Sequence, residues 1–140
     1  MMKNLFILFC FISMAATCQD KNSKDKKENP CDPYIMCTME FRIINLEIRS
    51  DAGEAVILDE FYSEINGDKI EIPDDVYQSK DGFYPVATDR QMKVLDFEGN
   101  EIVFFGLIEG EIVVEHKMTI GKDCCHIQLI DGEEKIIVSL

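Results

Sequence analysis

Basic residues are scarce in this sequence. Its 140 residues hold 14 Lys and Arg against 27 Asp and Glu, for a formal net charge of −13. A chain that acidic repels phosphate backbones, which sets nucleic-acid binding aside. Long hydrophobic runs are also nearly absent. The single one lies at the extreme N-terminus, which excludes a multi-span membrane protein. Motifs that carry chemistry are missing too. Ser50, Ser63, Ser79 and Ser139 have no nucleophile-elbow context for a Ser–His–Asp arrangement. Asp74-Asp75 and Asn66-Gly67-Asp68 lack the spacing of a twelve-residue calcium loop. No internal repeat of fixed period is present. The expectation is a protein without catalytic residues or cofactor. What is there, 46% hydrophobic and 29% charged residues, suits one globular domain and is too apolar for a wholly disordered chain.

The N-terminus reads as an address. Met1-Met2-Lys3-Asn4 gives a short positive start, and Leu5 to Ala16 is a nearly unbroken apolar run. Twelve residues are too few for a permanent bilayer span, which needs roughly 20. They have the length and order of a secretory signal. Ala15-Ala16-Thr17-Cys18, followed by polar Gln19-Asp20-Lys21, resembles the lipobox of bacterial lipoproteins. The resemblance implies cleavage before Cys18, so that residues 1–17 are the signal peptide, and acylation of Cys18. Two or more acyl chains hold a protein stably at a membrane, at about 0.8 kcal/mol per buried CH2. The membrane is then the first expected partner, reached through the N-terminal lipid.

Residues 18–30 carry the lipid-bearing Cys and a flexible linker. Gln19 to Pro30 has no large apolar residue and four Lys against three acids. Such a stretch cannot bury enough surface to offset its ordering entropy. It also resembles the export signals of lipoproteins destined for the outer surface. That places the protein in the cell envelope, lipid-anchored at the outer membrane. Residues 31–140 form the domain, where nine Lys and Arg meet 24 Asp and Glu, a net −15. The charge keeps the domain soluble at a crowded surface; its sharper reading is attraction of a basic protein partner or divalent cations.

The domain reads as strands. Phe41-Arg42-Ile43 alternates, and Ile44 to Arg49 alternates in the opposite phase, which a two-residue period tolerates only at a bulge. Ser50 to Gly53 is a turn, and Ala55 to Leu58 a short apolar strand. Asn66-Gly67 between two weakly alternating runs signals a hairpin. Phe83 to Val86 and Met92 to Phe97 are further strands. Ile102 to Ile108 is apolar on both parities, as in a strand covered on both sides, with Gly106 marking a bend or a close backbone approach. Ile112 to Ile120 follows. Cys124 to Ile130 and Lys135 to Leu140 form a final pair, and only Asp74 to Gln78 suits a helical turn. Seven or eight short strands separated by turns make an all-β fold, a β-sandwich of immunoglobulin-like kind.

The order of these features resembles a transthyretin-like sandwich, the fold of carboxypeptidase regulatory-like domains. There a first strand leads into a D-x-G turn, as Asp51-Ala52-Gly53 does, and a later tight strand pair crosses back, as Phe104 to Ile120 does. The chain is also similar to small bacterial surface lipoproteins with a late Asp-Cys-Cys-His element, here Asp123-Cys124-Cys125-His126. The resemblance covers most of residues 37–140 and implies a structural or binding module. An inhibitor or receptor for a cationic protein is the alternative.

Six cysteines remain to be placed. Cys10 leaves with the signal and Cys18 carries lipid, so Cys31, Cys37, Cys124 and Cys125 are left, an even number in an exported domain. Parity puts Cys125 with Ile127 and Leu129 on the inner face, and Cys37 with Phe41 and Ile43. The expectation is a buried Cys37–Cys125 bridge and an outer Cys31–Cys124 bridge. Each closes a loop of roughly 90 residues, worth about 4 kcal/mol in the chain-entropy picture. A vicinal Cys124–Cys125 bond is the strained alternative. A metal site drawn from Cys31, Cys37, Cys124, Cys125 and His126 is another, although C-x5-C and C-C-H do not match the spacing of a zinc knuckle. His126 is expected at the surface near the bridge, and His116 likewise in the polar company of Glu115 and Lys117.

Overall fold

Alternation of polar and branched apolar residues makes Ile43–Ser50 an extended segment with one buried face, and this strand, β1, runs through the centre of the smaller sheet. The computed structural model describes residues 30–72 and 81–140. Ile44, Leu46 and Ile48 are buried, while Phe41 is half exposed. The register slips between Ile44 and Asn45, where β4 passes from Ala87 to Pro85 and leaves Val86 as the extra residue. The bulge expected in β1 thus lies in its partner β4, and β1 itself runs without an inserted residue.

The other strands are β2 (Glu60–Ile65), β3 (Asp68–Ile70), β4 (Phe83–Thr88), β5 (Asn100–Ile108), β6 (Glu111–Lys122), β7 (Ile127–Asp131) and β8 (Lys135–Val138). They form a three-stranded sheet in the order β4-β1-β8 and a five-stranded sheet in the order β3-β2-β5-β6-β7. The fold is an all-β sandwich, and the two inner faces share one core. Phe61 of β2 meets Tyr84 of β4 edge-on at 5.2 Å, and Tyr84 lies 6.1 Å from Phe104 of β5. Leu46, Ile48, Ile102, Met118, Ile120 and Ile127 complete the interior.

Two glycines do work that no other residue does as cheaply. In the β2–β3 hairpin Asn66 and Gly67 both have positive φ, 55° and 83°, the turn whose twist suits two adjacent strands. At Gly106 a Cβ would stand 2.5 Å from a Leu58 methyl and 3.3 Å from Val114 Cβ. There the β5–β6 register shifts and the Val56–Leu58 segment crosses close to the sheet.

Five expectations change. Met92 to Phe97 is no strand: a 3-10 helix occupies Asp89–Lys93, started by a capping box in which Thr88 and Gln91 satisfy each other's backbone. Ala55 to Leu58 forms a single bridge, Arg49 to Ala55, and buries Val56 and Leu58 without a ladder. Cys124 to His126 is a bend, and β7 begins at Ile127. The last two strands do not pair with each other. β7 joins β6, and β8 crosses to the other sheet and runs parallel to β1. β5 is also covered less than expected, with Ile102 and Phe104 buried and Val103 and Phe105 only half so. The expected turn at Asp74 to Gln78 lies outside the described residues.

Candidate functional site

The chemistry-bearing residues meet where the segment from Cys31 to Arg42 crosses the end of the sandwich. This strap has no ladder of its own. Asp32 starts it with a turn, its carboxylate accepting from the Tyr34 N–H at 2.8 Å and its carbonyl from Ile35 at 3.0 Å. Two disulfides then hold it. Cys31 is bonded to Cys124 and Cys37 to Cys125, with Cα separations of 5.5 and 5.3 Å. Those are the two pairings expected, but the reasoning from strand parity does not apply. Cys37 lies ahead of β1 and Cys124-Cys125 lie ahead of β7, so neither pair sits on a ladder. Nor is the Cys37–Cys125 bridge a core element, because Cys37 is exposed.

The bend that presents both cysteines is folded by Asp123. Its Oδ1 accepts the N–H groups of Cys125 and His126, each at 2.7 Å, and its own N–H donates to the His126 carbonyl at 2.8 Å. Those donors, Cys125 first, hold the Asp123 carboxyl below the usual carboxylate range.

His126 is not the surface residue the sequence suggested. It is buried, 6% exposed, and both ring nitrogens are engaged. Nδ1 lies 2.8 Å from Asp89 Oδ2, and Nε2 lies 3.0 Å from Thr38 Oγ1. Asp89, the first residue of the 3-10 helix, also accepts the Arg42 N–H at 2.8 Å and the Ile127 N–H at 2.9 Å. Burial works to raise its carboxyl, but the donors from Arg42, His126 and Ile127 outweigh that and bring it below its ordinary value. An ionised Asp89 only accepts, so His126 Nδ1 carries the proton.

Thr38, His126 and Asp89 thus form a hydroxyl–imidazole–carboxylate chain. The order is that of an acyl-transfer triad, but Thr38 is a secondary alcohol held on an irregular strap, and the ring faces protein on nearly every side. What this chain does physically is clasp the strap to the 3-10 helix and to the start of β7. With Cys31, Cys37, Cys124 and Cys125 all in S–S bonds, none of these four is a thiolate that could join His126 in ligating a metal. Among the described residues no group of three or more His, Cys, Asp or Glu is arranged to hold one.

Thr38 and Asp89 were not singled out from sequence. Thr88-Asp89-Arg90-Gln91 does carry the S/T-x-x-E/Q signature of a helix start, which marks Asp89 as a first-turn acid. No local signal marks Thr38, because its partner is 88 positions away. His116 is half-buried, and its Nε2 bonds the Glu133 carbonyl at 2.9 Å. Cys18 lies outside the described residues.

A second concavity, of about 500 Å³, lies along β2 and β3 and is lined by Asp59, Glu60, Tyr62, Lys69 and Glu71 among others. Lys69 Nζ stands 4.1 Å above the Tyr62 ring, which stacks on Phe105 at 5.0 Å on the outer face of the larger sheet. Compared with known protein families, with characterised proteins and with solved structures, the chain matches none.

Proposed function

We propose that this protein is an exported, lipid-anchored β-sandwich of the cell envelope, serving as a non-catalytic structural or binding module. The observation that carries the reading is the pair of disulfides joining the strap to the 124–125 bend. Such bonds persist in oxidising compartments and are rare in the cytosol. The signal-like residues 1–17, the Cys at position 18 and the charged linker that follows support the same reading from the sequence. Without an anchor the −15 domain would diffuse away from the membrane; with one it stays beside it. Expressing the full chain and its Cys18→Ser variant in a bacterial host, then separating membranes from soluble fractions, tests this. The parent chain sediments with membranes and Cys18→Ser moves to the soluble exported fraction. Equal distribution of the two contradicts the anchor.

A second reading has its own support. On the outer face of the larger sheet the Tyr62–Phe105 stack is flanked by Glu60, Glu64 and Glu115, with Lys69 over the Tyr62 ring. An apolar stripe rimmed by acids suits a cationic protein, which the module would then bind or inhibit. Such binding weakens steeply between 50 and 500 mM salt if charge leads it, and persists if shape does.

A further inference from the structure

The strap carries more apolar surface than the fold requires. Residues 33–39 include no charged side chain. Tyr34, Met36 and Met39 are 88%, 94% and 103% exposed, and Ile35 and Phe41 are each 48% exposed. Single exposed apolar residues are ordinary, but five within eight positions form a patch. Nor is the strap loosely held. Two disulfides, the Thr38–His126 bond and the Arg42–Asp89 bond fix it along its length. A segment ordered so thoroughly, with its large apolar side chains left in water, has already met the entropy cost of docking.

We propose that the strap is a membrane-contact patch that lays Tyr34, Met36 and Met39 into the interfacial layer of the bilayer. The inference rests on the anchored reading above, because Cys31 follows Cys18 by 13 positions. That much chain spans at most about 45 Å when extended. Acyl chains on Cys18 therefore keep the strap within reach of the lipid surface and raise its effective concentration there. A patch too small to bind lipid from free solution then binds it. The side chains suit this occupant: tyrosine places its ring at the headgroup level, and methionine adapts its shape to disordered acyl chains. The four Lys of the linker favour anionic headgroups beside it.

The chain has no Trp, so Met36→Trp introduces a single emitter at the strap. Ile57→Trp is the control. Ile57 is exposed, and its neighbours Val56 and Leu58 bond Tyr84, at the opposite end of β4 from Asp89. Both full-length variants are purified from membranes and reconstituted in phosphatidylcholine vesicles with and without brominated acyl chains. The expected result is blue-shifted Met36→Trp emission that brominated lipid quenches, with Ile57→Trp emission unchanged. Adding Met39→Ser to the full-length Cys18→Ser chain lowers its residual partition into vesicles roughly tenfold. Equal emission of the two Trp variants in brominated vesicles overturns the proposal. So does a blue shift of Met36→Trp without lipid that accompanies a doubling of mass, which would assign the strap to a second copy. Flotation of the parent chain with vesicles reports the anchor separately. If it does not float, the anchored reading has failed, and excess vesicles added to the soluble chain still decide the strap by whether Met36→Trp is quenched.

Discussion

Asp89 Oδ2 lies 2.8 Å from His126 Nδ1, and the two backbone N–H groups of Arg42 and Ile127 converge on the same carboxylate. One side chain thereby joins the strap, the 3-10 helix and the first residue of β7. Asp89→Ala leaves three donors without their acceptor. The expected loss is about 3 kcal/mol, since each stranded group costs roughly 1–3 kcal/mol where water is excluded and less where it enters. Urea unfolding of the parent and variant measures it.

The same carboxylate sets the acid response. Asp89 and Asp123 both titrate below the ordinary value of 3.8 in the folded protein. A depressed folded value means the unfolded chain binds protons more readily. Stability from these groups is therefore complete above the ordinary value and is lost as pH falls through the folded one. Glu47 is lowered as well, chiefly by the Arg49 guanidinium at 2.6 Å, but solvent screening at the sheet surface weakens its share. Thermal unfolding followed from about pH 6 to pH 2 should show little change at first and a decline below about pH 4. The decline should be shallower in Asp89→Ala.

Reduction should destabilise the domain by about 4–5 kcal/mol, the order expected for closing loops of 88 and 93 residues. The two loops overlap along residues 37–124, so the second bridge adds much less than the first. Comparing urea midpoints with and without reductant, and in Cys37→Ser/Cys125→Ser, separates them.

Tyr84 should be intolerant of losing its hydroxyl. It is fully buried, donates to the Val56 carbonyl at 2.9 Å and accepts the Leu58 N–H at 2.8 Å. These bonds replace the ladder that residues 55–58 do not form. Tyr84→Phe keeps the packing against Phe61 and Phe104 but strands both backbone groups, at a cost of about 2–4 kcal/mol by denaturant unfolding.

Ser63 should behave in the opposite way. It is fully buried on the inner face of β2, and among the described residues its Oγ has no hydrogen-bond partner. Ser63→Ala removes an unsatisfied hydroxyl and is expected to be neutral or stabilising by up to about 1 kcal/mol, read as a rise in melting temperature.

Much of the fold was legible because it depends on local pattern. The Asn66-Gly67 hairpin and the Gly106 approach each appear where short-range rules place them. The sheet assignment of β8 was not legible. Residues 131–134 read as a hairpin turn, yet the chain uses them to pass between sheets, because Ile136 and Val138 pack against the core from beside β1. The 3-10 helix was missed because the apolar residues of Met92 to Phe97 outweighed the capping signature at Thr88. At the candidate site the cysteine pairing agrees with expectation although the strand parity behind it does not exist there, and the burial of His126 was not legible. Its two partners lie 37 and 88 positions away, a separation that only tertiary structure closes.

The most direct measurement is the intact mass of the full-length gene product recovered from membranes, before and after thiol alkylation, with and without reductant. The account requires a polypeptide that starts at Cys18, is heavier than its residues by the mass of acyl chains, and takes up four alkyl groups only once reduced. A product that retains Met1 and alkylates at Cys31, Cys37, Cys124 and Cys125 without reductant would contradict it.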